Sequence, residues 1–559
     1  MAQQKRKNLP EDKSSDSAPR QAKRPRTTSP GKQKKQLKPK SKPASKAPSK
    51  SKSLSSSRGS SRAPEVVAPP VYRSESRSSL SASDIMPKSP AFPRQWRTDE
   101  DGAPGERLIS SENVVKRLMK TYKGYFKNPD DENDQSFEPH AEDYPVVELV
   151  YPNRNASERF ILLAPKDVDH YNPIYDLEAS LYTIVQFYCT DAQKALFGPI
   201  PTDTLSETTD TESDDDDDTP LASTSQANIQ KAATPPCNLS DDGKSSLLRA
   251  FKRALNKEDG PAFVRVVGEI NALLNSFKEA AEGNSLMQAP LQWTEAGLPK
   301  KLLMRVVEEN YQRSVGPNVP KLRQYQAFTS TVYGELMPSL IDEIARLTNL
   351  KEDSVFLDLG SGVGNVCVQA SLQTGCTSFG VELMPTPAKV ALDVQEQMRI
   401  RARMWGLRMG EVELEEGDML KSSKLDSLMP KADVVLVDNK VFTVDLNEAL
   451  RPKFLDLKEG AVVVSLAPFV KSENARLTDR NVGFIPLPSS RYILMFPKLD
   501  DISTIFDVKR LRYGEGSVSW GHGDGHYWVQ TVDRKGYASM REKFEEIHAK
   551  TRSTRRSRG

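Results

Sequence analysis

The segment Val355-Phe356-Leu357-Asp358-Leu359-Gly360-Ser361-Gly362-Val363-Gly364-Asn365 runs from a short apolar strand straight into a glycine-rich turn, and the helical pattern that follows extends to Leu372. Glycines at such a turn let the backbone approach a ligand where a side chain would collide. Asp358 is placed where its carboxylate meets a polar ligand group. A second strand, Ser378-Phe379-Gly380-Val381, ends in Glu382, 24 residues after Asp358. An acid at the end of the second strand of such a unit is suited to ribose hydroxyls.

Two nucleotide cofactors compete for this pattern. Dinucleotide binding favours G-x-G-x-x-G with a pyrophosphate on the helix N-terminus. Here the third glycine comes one residue early, and Asn365 stands where that motif needs glycine. The spacing D-x-G-x-G-x-G instead suits S-adenosylmethionine, which has no phosphate to cradle. Further strands follow in order. Val412 to Glu415 leads to Gly417-Asp418-Met419, an acid and an apolar residue suited to an adenine amine and face. Val434-Val435-Leu436-Val437 leads to Asp438-Asn439, and Ala461 to Leu466 makes a fifth strand. Unbroken Val/Leu runs are what a buried parallel sheet needs. The predicted fold class is α/β: a Rossmann-like, mainly parallel sheet with helices on both faces, with ligands at the carboxyl ends of the strands.

Outward from this core, the 559 residues carry 79 Lys+Arg against 76 Asp+Glu, a net charge of +3 that is a cancellation. Residues 1–62 carry +16, the last eleven residues +5 and the body between them −18. Residues 1–104 are rich in Lys, Arg, Ser and Pro and read as a disordered basic arm, because they bury too little apolar surface to offset ordering entropy. Its clusters Lys5-Arg6-Lys7 and Lys23-Arg24-Pro25-Arg26 are spaced like a two-part nuclear import signal. A small accessory α/β domain is expected over 105–200 and an acidic linker over 201–242, with Asp210, Glu212 and Asp214 to Asp218. A helical lobe follows over 243–315, in which Phe263, Val267, Ile270, Leu274 and Phe277 form one apolar stripe. The catalytic core is placed at 316–548 and a basic tail at 549–559. No run of 18 apolar residues exists, so no membrane partner is expected, and the N-terminus lacks an apolar secretory stretch. The four cysteines and five histidines show no metal-ligand spacing, so no metal is expected.

Several blocks now carry a resemblance. Tyr325-Gln326-Ala327-Phe328, Val332-Tyr333-Gly334-Glu335-Leu336, the glycine turn, Gly380-Val381-Glu382, Val437-Asp438-Asn439-Lys440-Val441-Phe442 and Gly516-Ser517-Val518-Ser519-Trp520 with Tyr527 occur in this order. The chain thereby resembles the non-SET histone lysine methyltransferases named for disruption of telomeric silencing, over residues 325–527, with a basic arm like that of fungal members. The resemblance implies a class I S-adenosylmethionine-dependent methyltransferase fold. It implies cofactor contacts from Tyr333, Gly334, Glu335, Leu336, Asp358, Gly360, Gly362, Gly364, Asn365, Glu382, Asp418, Met419 and Asp438. Phe328, Phe442, Trp520 and Tyr527 would line a channel for the target lysine, with Glu335, Asp438 and Asn439 at the transfer site. The family usually has Asn-Asn where this chain has Asp438-Asn439, so a contact made there by a neutral amide here involves a carboxylate.

The implied substrate is a lysine in the globular core of histone H3 within nucleosomes, with the other core histones as partners. DNA would be held by the basic arm, and the protein would act as a nuclear monomer. The residues alone leave three other readings open: a methyltransferase of another protein or small molecule, a catalytically weak chromatin-binding protein, and a dinucleotide oxidoreductase, which Asn365 disfavours.

Overall fold

The computed structural model describes residues 94–168, 170–201, 246–280, 285–322, 334–470, 502–521 and 523–556. Most of the arm, the acidic linker and the stretches 323–333 and 471–501 lie outside the described residues. Four short strands come first: β1 (Tyr122–Gly124), β2 (Val146–Val150), β3 (Ser157–Ile161) and β4 (Leu163–Pro165), paired as β1 with β4 and β2 with β3. The central sheet is built from β5 (Val355–Leu359), β6 (Thr377–Glu382), β7 (Val412–Glu416), β8 (Val434–Val437), β9 (Val462–Ser465), β10 (Phe506–Tyr513) and β11 (Gly525–Val532). Its order is β10-β11-β9-β8-β5-β6-β7.

Strands β5 to β9 run parallel, and β11 enters antiparallel to both β9 and β10. The chain order reverses at β5, whose neighbours are β6 and β8, and such a switch point opens a crevice at the strands' carboxyl ends. Alternate side chains supply two cores. Phe356, Leu436 and Val464 face one, with the helices Pro338–Leu347, Asn365–Thr374 and Pro385–Met404. Leu357, Leu359, Val435 and Val437 face the other, with Leu425, Leu450 and Phe454. Helices therefore cover both faces of the sheet, which is why its strands are apolar throughout.

The first core is continuous with the N-terminal half. The helix Gly260–Lys278 starts on an Asp259 cap, whose carboxylate accepts from the Ala262 N–H at 3.0 Å, and buries the expected stripe of Phe263, Val267, Ile270, Leu274 and Phe277. That stripe, Leu149, Phe160 and Leu181 from the 105–200 segment and Phe356 from the sheet belong to one apolar cluster. One expectation changes here. Residues 94–104, assigned to the disordered arm, are packed: Trp96 is 0% exposed, its carbonyl accepts from the Arg408 N–H at 2.7 Å, and the Thr98 N–H donates to the Gly406 carbonyl at 3.1 Å. The buried indole and these backbone hydrogen bonds together hold the strip against the residues that follow the helix Pro385–Met404.

A buried charge network reinforces that junction. Glu158 of β3 accepts from Arg313 Nε at 3.1 Å and Arg401 Nη1 at 3.0 Å. Glu309 accepts from the Tyr151 hydroxyl at 2.9 Å and the Trp405 indole N–H at 2.9 Å. Asp176 pairs with both Arg305 and Arg313. The charged residues come from β3 and from the helices Pro173–Tyr188, Lys300–Ser314 and Pro385–Met404, whereas Tyr151 follows β2 and Trp405 caps the last of these helices. Three N-terminal elements are thereby bound to the helix that flanks the sheet.

Candidate functional site

The glycine turn folds back on β6. The Gly360 and Ser361 N–H groups both donate to the Val381 carbonyl, at 2.9 and 3.1 Å, and the Gly364 N–H donates to the Ser361 carbonyl at 2.8 Å. Gly360 (φ +91°) and Gly364 (φ +78°) occupy backbone conformations that other residues rarely adopt. A Cβ on Gly364 would also lie 2.5 Å from Leu414 Cδ1. The helix Asn365–Thr374 begins immediately. Above the turn opens a cleft walled by Glu335, Leu336, Asp358, Asn365, Leu436 and Asp438.

Asp358 and Asp438 line this cleft from the ends of β5 and β8, and Glu382, at the end of β6, is bonded to the glycine turn that floors it. Asp358 is 4% exposed, and burial, then the charges of Asp438 and Glu382, push its carboxyl up to about 8. Glu382 is also raised by burial, although its oxygens accept from the Gly362 N–H at 2.9 Å and the Met384 N–H at 2.7 Å. Burial pushes Asp438 up to about 6, opposed by the backbone N–H and the charge of Lys440. Among the described residues no Lys or Arg forms an ion pair with any of the three. Asp418 differs: the Lys421 ammonium at 2.8 Å and the Leu420 N–H hold it below the usual carboxylate range. The Gly417 N–H donates to the Glu382 carbonyl at 2.9 Å, which brings Asp418 and Met419 alongside Glu382. Phe442 and Met419 flank Gly360: a Cβ there would lie 3.7 and 3.8 Å from their side chains.

The opposite wall is made by two distant segments. The Glu335 N–H donates to Ser519 Oγ at 2.8 Å, the Ser519 N–H to the Glu335 carbonyl at 2.9 Å, and the Met337 N–H to the Ser517 carbonyl at 3.0 Å. The Trp520 ring lies against Gly334, where a Cβ would sit 2.6 Å from Cε3, and is 39% exposed.

Not every expected residue reaches the cleft. Tyr527, expected in a channel wall, is fully enclosed, and its hydroxyl donates to Glu343 Oε1 at 2.6 Å. Burial and that carboxylate raise its hydroxyl far above the ordinary value. Asn439, expected at the transfer site, is a latch instead. Its Nδ2 donates to Asn447 Oδ1 at 2.9 Å and the Ala467 carbonyl at 3.0 Å, while its Oδ1 accepts from the Ala467 N–H at 2.7 Å. A buried amide with these bonds made has little capacity left for a ligand. Phe328 and Tyr333 lie outside the described residues. No cluster of His, Cys, Asp and Glu that could hold a metal occurs among the described residues.

Two contributors were not singled out from the sequence. Cys367 Sγ lies 3.9 Å from Asp358 Oδ2, one helical turn beyond the glycine turn. Ser519 holds Glu335 across 184 residues. A strand acid followed by a thiol near the helix start is a weak local signal for the first. The second has none that spacing could reveal.

Residues 311–532 match the family described as "Histone methylation protein DOT1". A protein of Cryptococcus neoformans var. neoformans serotype D (strain JEC21) is 32% identical over 476 residues, covering 78% of this chain and 67% of its own length. A Mycosarcoma maydis protein is 30% identical over 552 residues, covering 80% and 65%, and one of Emericella nidulans is 31% identical over 385 residues, covering 69% and 64%. Each is named "Histone-lysine N-methyltransferase, H3 lysine-79 specific". The match spans slightly less than two thirds of the Mycosarcoma and Emericella proteins.

Proposed function

Because the chain belongs to the family of the histone methylation protein DOT1, we propose that it transfers methyl groups from S-adenosylmethionine to a lysine of nucleosomal histone H3, at the lysine-79 position named for its relatives. The observation that carries this reading is the set of three acids around the glycine turn, Asp358 buried and Glu382 and Asp438 partly buried, none of them in an ion pair among the described residues. A cationic ligand restores the charged state of such carboxylates, and S-adenosylmethionine brings a sulfonium and an ammonium. A pyrophosphate would meet the same acids as repulsion, which disfavours the dinucleotide alternative.

The residues fit that ligand. Glu382 keeps carboxylate capacity for ribose hydroxyls, Asp418 and Met419 stand beside it for the adenine, and Asp358, Glu335 and the turn face the charged end. When bound, the ligand supplies an electrophilic methyl group on sulfur. The target lysine must lose its proton first, which costs about 4–5 kcal/mol for a free amine at neutral pH. Trp520 and Phe442 offer apolar walls that disfavour the ammonium by desolvation, and Asp438 offers an acceptor at the cleft edge. Holding the amine in line for attack contributes much of the remaining barrier reduction.

The basic arm is assigned to nucleosomal DNA, and its two basic clusters to nuclear import. Deleting residues 1–62 is expected to weaken nucleosome methylation while sparing cofactor affinity. The decisive measurement incubates nucleosomes and labelled S-adenosylmethionine with wild type and Gly362→Arg, whose side chain would fill the cleft. Label on histone H3 with wild type alone is expected. Absence of label with wild type, or equal label with the variant, removes the reading.

A further inference from the structure

The charge on the β10–β11 hairpin is not used by the cleft. β11 pairs with β9 only through Trp528 to Thr531, whereas β10 and β11 pair from Phe506↔Val532 through Tyr513↔Gly525. The Tyr513–Gly525 end therefore extends beyond β9 as a two-stranded ribbon. Directly paired residues share a face of a sheet, so Arg510 with Trp528 and Arg512 with His526 succeed one another on one side. Nearer the sheet, that side carries Phe506 and Val508 packed on the second core. Farther out it carries Arg510 and Arg512, both exposed.

Cations gather on this face from more than one element. The Arg510 guanidinium lies 5.6 Å over the Trp528 ring. His526 is held below its ordinary value by partial burial and by Arg510, Arg512 and Lys440, the last from the connection after β8. Arg512 reaches Asp524 at 2.6 Å, but both side chains are half-exposed and such a pair holds weakly. Among the described residues Arg510 and Lys440 form no ion pair. Charges on an edge strand also guard against sheet-to-sheet association. That role does not call for Lys440 to converge from another element, nor for an Arg laid on an indole.

The hairpin borders the cleft: the connection between β10 and β11 carries the Ser517–Ser519 segment that pairs with Glu335 to Met337, and Lys440 follows the cleft residue Asp438 by two positions. We propose that Arg510, Arg512, His526 and Lys440 form a docking surface for the phosphate backbone of duplex DNA beside the acceptor side of the cleft. Arg510 and Arg512 stand two residues apart on one face, roughly 7 Å, and each presents a fork of donors that matches phosphate oxygens. A two-stranded ribbon is also a shape that a DNA groove admits. The proposed nucleosomal substrate is what places DNA beside the cleft. DNA binding itself is read without cofactor or methyl transfer, so its failure and that of the methyltransferase reading are separable.

The test uses the full chain, without cofactor, and a fluorescently labelled duplex of about 20 base pairs, titrated at about 50 to about 200 mM NaCl. Wild type is compared with Arg510→Ala/Arg512→Ala and Arg510→Lys/Arg512→Lys. The basic arm is present in all three, so the difference isolates the hairpin. The alanine pair is expected to lower the slope of log affinity against log salt by about two and to weaken binding roughly tenfold. The lysine pair should restore the slope. If the alanine pair melts early, Lys440→Ala, outside the sheet, carries the same test with a slope change of about one. An unchanged slope in a folded variant overturns the proposal. So does unchanged DNA binding with lost affinity for a polyglutamate peptide, which would make the face a dock for an acidic protein.

Discussion

Two sets of carboxylates in this chain have opposite fates. Glu158 and Asp176, in the N-terminal junction, are fully enclosed among Arg305, Arg313 and Arg401, and those guanidiniums outweigh burial: Glu158 falls to about 2, and Asp176 is also lowered. Asp358, Glu382 and Asp438, at the cleft, are raised, because burial acts there without a cation in contact. The first set is electrostatically complete and holds elements together. The second has no Lys or Arg in contact among the described residues, a pattern expected of carboxylates at a functional site rather than of structural ones.

Breaking the complete set should have the largest effect on stability. Arg313→Met leaves Glu158 and Asp176 under-compensated in a sealed interior and is expected to cost about 3–5 kcal/mol, read as a lower urea midpoint or insoluble protein. Removing a charge from the incomplete set should do the reverse. Asp358→Asn takes away a penalised carboxylate, so the urea midpoint should stay or rise, whereas affinity for S-adenosylmethionine should fall at least tenfold, about 1.4 kcal/mol, by calorimetry. A stability loss as large as that of Arg313→Met would sink the distinction.

Acidity separates the two sets without mutation. Glu158 has its folded pKa depressed from 4.5, so its contribution is present above about 4.5 and is lost as pH falls toward 2. Asp358 has its folded pKa raised from 3.8 to about 8, so its penalty grows between those values and is complete above 8. For these groups, resistance to unfolding should be greatest near pH 4, between the ordinary values of 3.8 and 4.5, and should decline from there toward pH 8. Cofactor affinity should instead tighten from pH 6 to pH 8.5, with protons released on binding that calorimetry in buffers of different ionisation enthalpy would count. Affinity that is flat with pH would mean that these acids do not face the ligand's charge. The smallest effect is expected from Tyr527→Phe, which deletes the hydroxyl on Glu343: about 1 kcal/mol of stability and little change in methylation rate. A rate loss exceeding its stability loss would return Tyr527 to the channel wall.

The legible part of the site was the part encoded over short distances. A strand, a glycine turn, a helix and Glu382 lie within about thirty residues, and local periodicity and backbone sterics are enough to order them. That Asp418 stands beside Glu382 came only from the pairing of β6 with β7, which aligns the carboxyl ends of the two strands. Residues whose partners are remote were misjudged or missed. Asn439 looked like an active amide until Ala467 and Asn447 occupied it. Tyr527 looked like a wall until Glu343 took its hydroxyl. Trp96 sat in a stretch whose composition suggested no packing, yet its indole is buried and the backbone around it bonds to Gly406 and Arg408.

The distribution of charge shows the same division. Composition placed the basic excess at the two ends and left the body at −18, and that holds for any fold of this chain. Folding divided the body's acids into carboxylates locked to arginines and carboxylates gathered around the glycine turn without a cation in contact. It also set Arg510, Arg512 and His526 on one side of a ribbon and brought Lys440, from the connection after β8, within range of their charge. Alternating side-chain direction and glycine sterics act between adjacent residues, so they are readable in order along the chain. Desolvation and Coulomb interactions depend on distance through space, and only the packed structure supplies it.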